Sequence, residues 1–187
     1  MYRILLLVLL AGIGGCTKKH PLYTNLEIAL SPQPPVFTDI TTSIEGNDKR
    51  QAKEVILYQI GSQAPSVMEN LSPVEVVVTE RLAQGFREQG LQFAKNTEDR
   101  IIVEIQRLLA TVIRPEFLYT TKIETAIHLR VVKNGSSLDK KYLRQATNDS
   151  TRRPDVNRLE GMIDAQLSAI VAQILEDEDV RKALSAR

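Results

Sequence analysis

The sequence has no tryptophan, one cysteine and two histidines, and aromatic residues make up only 5% of the chain. So few aromatic side chains provide poor stacking platforms for sugars and poor cages for organic cations. One cysteine cannot form a disulfide within the chain or supply the paired thiolates of a structural zinc site. Stability therefore has to come from a packed hydrophobic core, for which the roughly 170 residues that follow the apolar N-terminal run are sufficient in one domain.

Neither positive nor negative charge is in clear excess. The 24 Lys and Arg residues are matched by 23 Asp and Glu residues, which gives a formal net charge of +1. A nearly neutral chain has no electrostatic reason to bind the phosphates of nucleic acid broadly. We therefore expect no nucleic-acid partner.

Catalytic and metal-binding motifs are missing as well. The sequence has no Gly-x-Ser-x-Gly, no His-x-x-x-His and no glycine-rich phosphate or dinucleotide fingerprint. His20 falls in a polar stretch, and His128 falls on the polar side of an alternating strand pattern. Both positions are typical of ordinary surface histidines. The four carboxylates of residues 176–179 lack the ligand spacing of a calcium loop. We expect no catalytic residue, no metal ion and no dissociable cofactor.

The N-terminus holds the one long apolar run. Arg3 precedes the uniformly apolar stretch Ile4–Leu10, and the small residues Gly14 and Gly15 stand directly before Cys16. This order is typical of a secretion signal that ends at a lipid-attachment site. We predict a signal peptide over residues 1–15, cleavage after Gly15 and lipidation of Cys16. An uncleaved membrane helix and a buried N-terminal helix are the alternatives, but spanning a bilayer takes about 20 apolar residues.

The pattern Ile13-Gly14-Gly15-Cys16 resembles a bacterial lipobox, and the resemblance implies the usual lipoprotein chemistry. The Cys16 thiol would carry a diacylglycerol and its amine a third acyl chain, which is enough for stable anchoring. Thr17 follows the cysteine, where an Asp would imply retention in the inner membrane. The resemblance thus implies the periplasmic leaflet of the outer membrane. Residues 16–24 would form the lipidated tether and residues 25–187 the periplasmic domain.

The first half of this domain has the pattern of strands followed by a helix. Strands are predicted at 26–30, 40–44, 55–60 and 91–93, with a proline-rich loop over 31–35 and a turn over 45–48. Ser72 and Glu75 fit a capping box, with Pro73 at the first helical position. An apolar residue then recurs at every fourth position up to Phe86, before Gly90. These signals predict a helix over about 73–89.

The second half has the pattern of a hairpin followed by helices. Apolar residues alternate over 101–105 and again from Phe117 to Val131, and Asn134-Gly135 predicts a two-residue type I′ turn. That turn sets Arg130 opposite Asp139. A stripe from Val156 to Ile174 predicts a long helix, and residues 176–179 predict a break before a short terminal helix at Val180–Leu184. The fold class predicted is α+β, with a single mostly antiparallel sheet and two amphipathic helices packed on one face.

Across nearly its whole length the chain resembles the YajG family of lipoproteins. The resemblance rests on the lipobox, on residues 26–32 and 43–50, on the 72–90 helix, on the central hairpin and on residues 177–184. It implies location and fold but no mechanism, because the role of the family is not established. Similar small envelope lipoproteins act as accessory subunits. An acidic residue paired with an Arg recurs in the family near the turn that holds Asp48 and Arg50, which makes these two candidate binding residues.

Two functions follow as hypotheses. The first is a non-enzymatic binding or scaffold lipoprotein, whose uncovered sheet face or edge strand meets an envelope protein or glycan. Lys122, Glu124 and Arg130 on the wet strand face are its candidate contact residues. The second is an envelope lipid or small-ligand carrier, or an enzyme, with an apolar pocket between sheet and helices lined by Phe117 and Tyr119.

Overall fold

The computed structural model describes residues 23–95 and 97–186. The predicted signal peptide, the cleavage position Gly15, the lipid site Cys16 and most of the tether lie outside the described residues. Eight strands and three helices follow one another along the described part of the chain: β1 (Tyr23–Thr24), β2 (Thr41–Asp48), β3 (Glu54–Gln59), β4 (Ser66–Asn70), α1 (Val74–Glu88), β5 (Gln92–Phe93), β6 (Arg100–Ile113), β7 (Tyr119–Lys133), β8 (Ser136–Ser150), α2 (Val156–Glu176) and α3 (Glu178–Ser185).

Strands β6, β7 and β8 form a long antiparallel meander that runs from the middle of the sheet to one edge. The turn between β7 and β8 has φ values of 50° at Asn134 and 75° at Gly135, as a type I′ turn requires. Arg130 lies opposite Asp139. The hairpin and its register, both predicted from the sequence, are confirmed.

The other edge of β6 is shared by two strands placed end to end. β2 runs parallel to the first half of β6, residues 100–105, and β3 runs parallel to its second half, residues 110–113. β4 pairs antiparallel with β3, β1 lies parallel to β4, and β5 lies parallel to β2. One long strand thus organises both halves of the domain.

The sheet is mixed, so the prediction of a mostly antiparallel sheet is wrong. Four of the seven pairings among the described strands are parallel. Hydrophobic alternation reports which face of a strand is buried, but it does not report the direction of the strand. β2 and β3 do not pair with each other but lie one after the other along the same edge of β6. The connection through α1 returns the chain across the sheet, so β6 runs in the same direction as both strands.

The three helices cover one face of the sheet. On that face β6 and β7 bury their alternating apolar residues, and β6 shifts its pairing with β7 by a bulge between Ile105 and Arg107. The predicted helix stripes are confirmed, because each member is buried: Val74, Val78, Leu82 and Phe86 in α1, and Val156, Leu159, Ile163, Leu167, Ile170 and Ile174 in α2. The predicted break and short terminal helix are also confirmed, because Asp177 ends α2 and caps α3. With α3, three helices cover the sheet where the fold class named two.

The predicted capping box of α1 is not formed. Pro73 occupies the N-cap position with extended backbone, φ −53° and ψ 128°, and no side chain caps the helix. The carbonyl of Pro73 accepts the first helical N–H groups, from Val76 and Val77. The end of α1 is as predicted, because Gly90 has a φ of 97° and its missing side chain leaves room for the carbonyl of Phe37.

The segment Leu26–Leu30 was predicted as a strand but pairs with a helix. Leu26 and Ile28 are buried, as the alternation requires. The backbone N–H groups of Asn25, Glu27 and Ala29 donate to side chains of α2: Glu160 Oε1, Asp164 Oδ1 and Ser168 Oγ, each at 2.9 Å. Four helical residues rise about 6 Å and two extended residues about 6.6 Å. Every second N–H of the extended segment therefore meets every fourth side chain of α2.

Two further predictions are corrected at the ends of elements. Residues 45–48, predicted as a turn, complete β2, and β8 continues as far as Ser150. Phe117 lies in the connection between β6 and β7 and is 83% exposed, so it does not share the buried face of β7. The proline-rich loop over 31–35 is present as predicted.

Candidate functional site

The face of the sheet opposite the helices is open, and we call it the outer face. It carries the even-numbered residues of β7 and the odd-numbered residues of β8. Lys122 is exposed there, as predicted, and Glu124 accepts two hydrogen bonds from Arg107, at 2.8 and 3.1 Å. The predicted candidates Lys122, Glu124 and Arg130 therefore all belong to one surface.

A charged ladder crosses the outer face from β6 to β8 and consists of Glu104, His128, Asp139 and Arg130. His128 Nδ1 lies 3.1 Å from Glu104 Oε2, and His128 Nε2 lies 2.9 Å from Asp139 Oδ1. Arg130 Nε donates to Asp139 Oδ1 at 2.8 Å, and this hydrogen bond lowers the pKa of the Asp139 carboxyl. Each ring nitrogen of His128 thus contacts a carboxylate.

Only part of this ladder could be predicted from the sequence. The hairpin register identified Arg130 and Asp139 as partners. Glu104 could be placed beside His128 only with the pairing of β6 and β7, whose bulge changes the alternation after Ile105. The two carboxylates lie on opposite sides of the imidazole, so they do not converge on a common point. Across residues 23–95 and 97–186, no group of three or more His, Cys, Asp or Glu side chains is arranged to hold a metal ion.

β8 forms an edge of the sheet, because β7 is its only partner among the described strands. In a two-residue hairpin the pair beside the turn is hydrogen-bonded, here Lys133 with Ser136. Hydrogen-bonded and non-hydrogen-bonded pairs alternate along the hairpin from that pair. The odd-numbered residues of β8 therefore direct their N–H and C=O groups away from β7. Leu143, Gln145 and Thr147 lie on this open edge, and the Leu143 residue is 68% exposed.

An open cleft of about 590 Å³ lies between β8 and α2. Its strand side carries Arg144 and Ala146, and its helix side carries Met162, Ala165 and Gln173. A second concavity of about 540 Å³ shares Arg144 and Gln173 with it and extends along α2 towards Asp177. The small side chains of α2 therefore leave a groove beside the open edge of β8.

Asp48 and Arg50 form a buried clamp. Arg50 Nε and NH2 donate to the two carboxylate oxygens of Asp48 at 3.0 and 2.9 Å, and Arg50 NH1 donates to the carbonyls of Glu54 and Leu108. Burial opposes ionisation of Asp48, but the hydrogen bonds from Arg50 and Lys53 outweigh it and lower the pKa of this carboxyl to about 2. The Arg50 side chain is 5% exposed, which favours a structural role.

Asp177 lies at the break between α2 and α3, where several hydrogen bonds converge on its carboxylate. It accepts hydrogen bonds from Lys140 Nζ at 2.7 Å, from the Tyr142 hydroxyl at 2.9 Å and from the first backbone N–H groups of α3. Burial opposes its ionisation, but these donors hold the pKa of the Asp177 carboxyl below its usual value. The acidic stretch 176–179 thus fastens the C-terminal helix to β8.

The pocket between sheet and helices that the alternative hypothesis requires is not where it was predicted. Phe117 is exposed on a loop, and Tyr119 is partly exposed, with the guanidinium of Arg114 stacked 5.0 Å from its ring centre. Away from the β8–α2 cleft, the space between the two layers is filled by the buried side chains of the core. No helix within the described ranges is both long and apolar enough to cross a bilayer.

These features define a small α+β domain with a one-sided helical layer, an open charged sheet face and an open edge strand. The chain belongs to the family of uncharacterized lipoproteins described by the Lipoprotein_16 model, the YajG family, which matches residues 27–185. The family resemblance inferred from the sequence is confirmed. Membership of a lipoprotein family fits attachment to the cell envelope through a lipid.

Comparison with solved structures finds a similar fold at low sequence identity. The chain is similar to protein XCC0632 from Xanthomonas campestris, with a TM-score of 0.53 and 10% identity over 81% of this chain and 89% of that one. It is also similar to protein CT253 from Chlamydia trachomatis, with a TM-score of 0.42 and 8% identity over 80% of this chain and all of that one. Comparison with curated sequences gives no match. At such low identity the likeness to XCC0632 extends to the fold alone.

Proposed function

We propose that this chain is a non-enzymatic binding lipoprotein. It is held on the periplasmic leaflet of the outer membrane through acyl chains on Cys16, and it recruits an envelope partner as an accessory subunit. The observation that carries the proposal is the open edge of β8, beside both the outer face and the β8–α2 cleft.

Strand addition is the mode of binding that this edge supports. A strand of fifteen residues offers a long row of free backbone donors and acceptors, and an extended peptide can pair with such a row. The exposed Leu143 on the outer face and the cleft beside Ala146 offer apolar contacts to side chains of the added strand. The partner that fits this surface is an extended segment of a protein.

The charged ladder supports binding more than catalysis. Both ring nitrogens of His128 already contact carboxylates, so a substrate would have to displace one of these carboxylates to reach either nitrogen. The carrier or enzyme alternative draws less support, because the concavity beside β8 is open and has glutamine and arginine side chains on its walls. A lipid carrier buries most of its ligand in an apolar chamber.

Site-specific photo-crosslinking tests the proposal. A photoreactive residue replaces Gln145 on the β8 edge of the full-length lipoprotein, and the matched control replaces Gln84, an exposed glutamine on α1. We expect a discrete crosslinked protein from position 145 and none from position 84. Equal patterns at the two positions, or no crosslink at position 145 in intact cells, would contradict the proposal. A crosslinked glycan in place of a protein would exclude strand addition.

A proline substitution tests the role of the backbone. Thr147→Pro removes an N–H that faces away from β7, so the hairpin should survive, because proline is tolerated at such positions of edge strands. With the photoreactive residue at position 145, we expect Thr147→Pro to abolish the crosslink and Thr147→Val to retain it. Circular dichroism of both variants controls for folding. Retention of the crosslink in a folded Thr147→Pro variant would argue against pairing through this edge.

A further inference from the structure

The connection between β6 and β7 exposes large apolar side chains. Phe117 is 83% exposed and Leu118 is 44% exposed, within a stretch of five exposed residues from Arg114 to Leu118. We call this stretch the 114–118 loop. A loop that presents adjacent Phe and Leu side chains to water is a candidate contact surface, because monomeric domains keep contiguous apolar patches small.

The strand registers place this loop beside the loop between β3 and β4. Tyr58 lies opposite Val112 of β6 and opposite Ser66 of β4, so β3 and β6 both end, and β4 begins, at the same end of the sheet. The connection from β8 to α2 reaches this end as well, because Ser150 lies opposite Tyr119. We call this the anchor end of the sheet, because the N-terminal side of Tyr23 faces it.

The N-terminal side of Tyr23 faces the anchor end. β1 runs parallel to β4, with Tyr23 opposite Glu69, so the chain enters β1 from the side on which β4 begins. Val67 of β4 and Thr111 of β6 both lie opposite Leu57 of β3, so they stand at the same height in the sheet. Tyr23 lies opposite Glu69, which is two residues further from the anchor end than Val67. The level of Tyr23 is therefore four residues, or about 13 Å, from the end of β6 at Ile113. Cys16 and Tyr23 are seven positions apart in the sequence, which allows a reach of up to about 23 Å.

The side chains around the 114–118 loop are those of a membrane interface. The guanidinium of Arg114 stacks on the partly exposed Tyr119, and the exposed Arg153 covers the buried ring of Tyr58 at the same end of the sheet. Tyrosine and arginine have apolar bodies and polar ends, so they suit the level of the lipid headgroups. Glu116 in the same loop offsets one of these positive charges. The contact would therefore rest on apolar insertion more than on attraction to anionic lipid.

We propose that the 114–118 loop docks onto the lipid surface that holds the Cys16 anchor, with Phe117 and Leu118 inserted among the headgroups. This inference rests on the proposed lipid anchor. Docking at the anchor end holds the sheet upright, with the Asn134-Gly135 turn pointing away from the membrane. The β8 edge then stands at a fixed height and is accessible to a partner in the periplasm.

The absence of tryptophan from the chain allows a clean test by fluorescence. Phe117→Trp places a single probe in the loop, and Ser137→Trp places a matched probe at an exposed position beside the far turn. Ser137 lies opposite Val132, twelve residues or about 40 Å along β7 from Thr120. Each full-length lipidated variant is reconstituted into vesicles of phosphatidylethanolamine and phosphatidylglycerol, with or without brominated acyl chains, and the vesicles are collected by flotation.

We expect the Phe117→Trp variant to show blue-shifted emission in vesicles and strong quenching by brominated lipid, and the Ser137→Trp variant to show neither. If both variants float with the vesicles but emit alike and resist quenching, docking by the loop is wrong and the lipid anchor stands. If the proteins fail to float, the anchor itself is wrong and the docking surface falls with it. Replacing phosphatidylglycerol by phosphatidylcholine should change the quenching little, and a loss of quenching would contradict docking by apolar insertion.

Discussion

Asp164 lies in a row of like charges where the first extended segment crosses α2. Burial raises the pKa of its carboxyl to about 6, and the neighbouring carboxylates of Glu160 and Glu27 act in the same direction, while the hydrogen bond from the Glu27 N–H opposes them. An acid whose pKa is higher in the folded state binds its proton more tightly there. Its contribution to stability is therefore complete below about pH 4 and is lost as the pH rises through 6.

Asp164→Asn removes this cost and keeps an oxygen that can accept the Glu27 N–H. We expect the variant to gain on the order of 1 kcal/mol of unfolding free energy at pH 7 and nothing at pH 4, after allowance for the partial exposure of the group. Urea denaturation at the two pH values measures the difference. Ser168→Ala removes the next hydrogen bond of the same row without a titratable group, so its loss should be equal at both pH values. A gain for Asp164→Asn that does not depend on pH would contradict this account.

Gly46 marks the closest approach of α1 to the sheet. A Cβ at this position of β2 would collide with Thr79 Oγ1 and would lie 2.8 Å from the carbonyl oxygen of Glu75. Backbone cannot move away as a flexible side chain can, so Gly46→Ala should cost about 2 kcal/mol through overpacking. The matched control is Gly161→Ala, because a Cβ on this helical glycine of α2 meets nothing within 4 Å. That control should gain about 0.5–1 kcal/mol, so a similar change in both variants, measured by urea denaturation, would contradict the close approach.

Between elements, the Arg50 clamp joins β2, β3 and β6. It occupies the gap in which β2 has ended and β3 has not yet begun, and it donates to the carbonyl of Leu108 on β6. Arg50→Ala leaves a partly buried carboxylate without its main partner and should cost about 3 kcal/mol of unfolding free energy. Lys53→Ala removes the exposed partner of the same carboxylate and should cost about 0.5 kcal/mol or less. Equal losses measured by urea denaturation would show that the clamp does not hold the strands together.

The elements themselves were largely predictable, because each carries a local signal. The stripes of α1 and α2, the Asn134-Gly135 turn and the alternation of β6 and β7 all follow from side-chain periodicity. The extended segment at residues 26–30 shows the limit of that signal. Alternation correctly identified Leu26 and Ile28 as buried, but the partners of the intervening backbone N–H groups lie about 135 residues away on α2.

Strand direction and long-range pairing could not be predicted either, because they too depend on partners far away in the chain. A strand carries the same alternation whether its neighbour is parallel or antiparallel, so the parallel pairings of β2 and β3 with β6 left no local trace. The candidate site was predicted in part. The outer-face residues Lys122, Glu124 and Arg130 were identified from parity, whereas the role of Glu104 depends on a bulge, and the open edge of β8 depends on the order of the whole sheet.

For the whole molecule, the account joins a lipid-anchored terminus to a domain that binds a partner. The anchor end, the upright sheet and the accessible β8 edge all depend on attachment at Cys16. Without that attachment the exposed Phe117 has no lipid to meet.

The most direct measurement is metabolic labelling with radioactive palmitate, carried out on the full-length chain and on Cys16→Ser in the same cells and followed by membrane fractionation. The account predicts a labelled, shortened product in the outer-membrane fraction, and an unlabelled, uncleaved product for Cys16→Ser. An unlabelled mature protein from the unmodified chain, or its recovery free of membranes, would contradict the account.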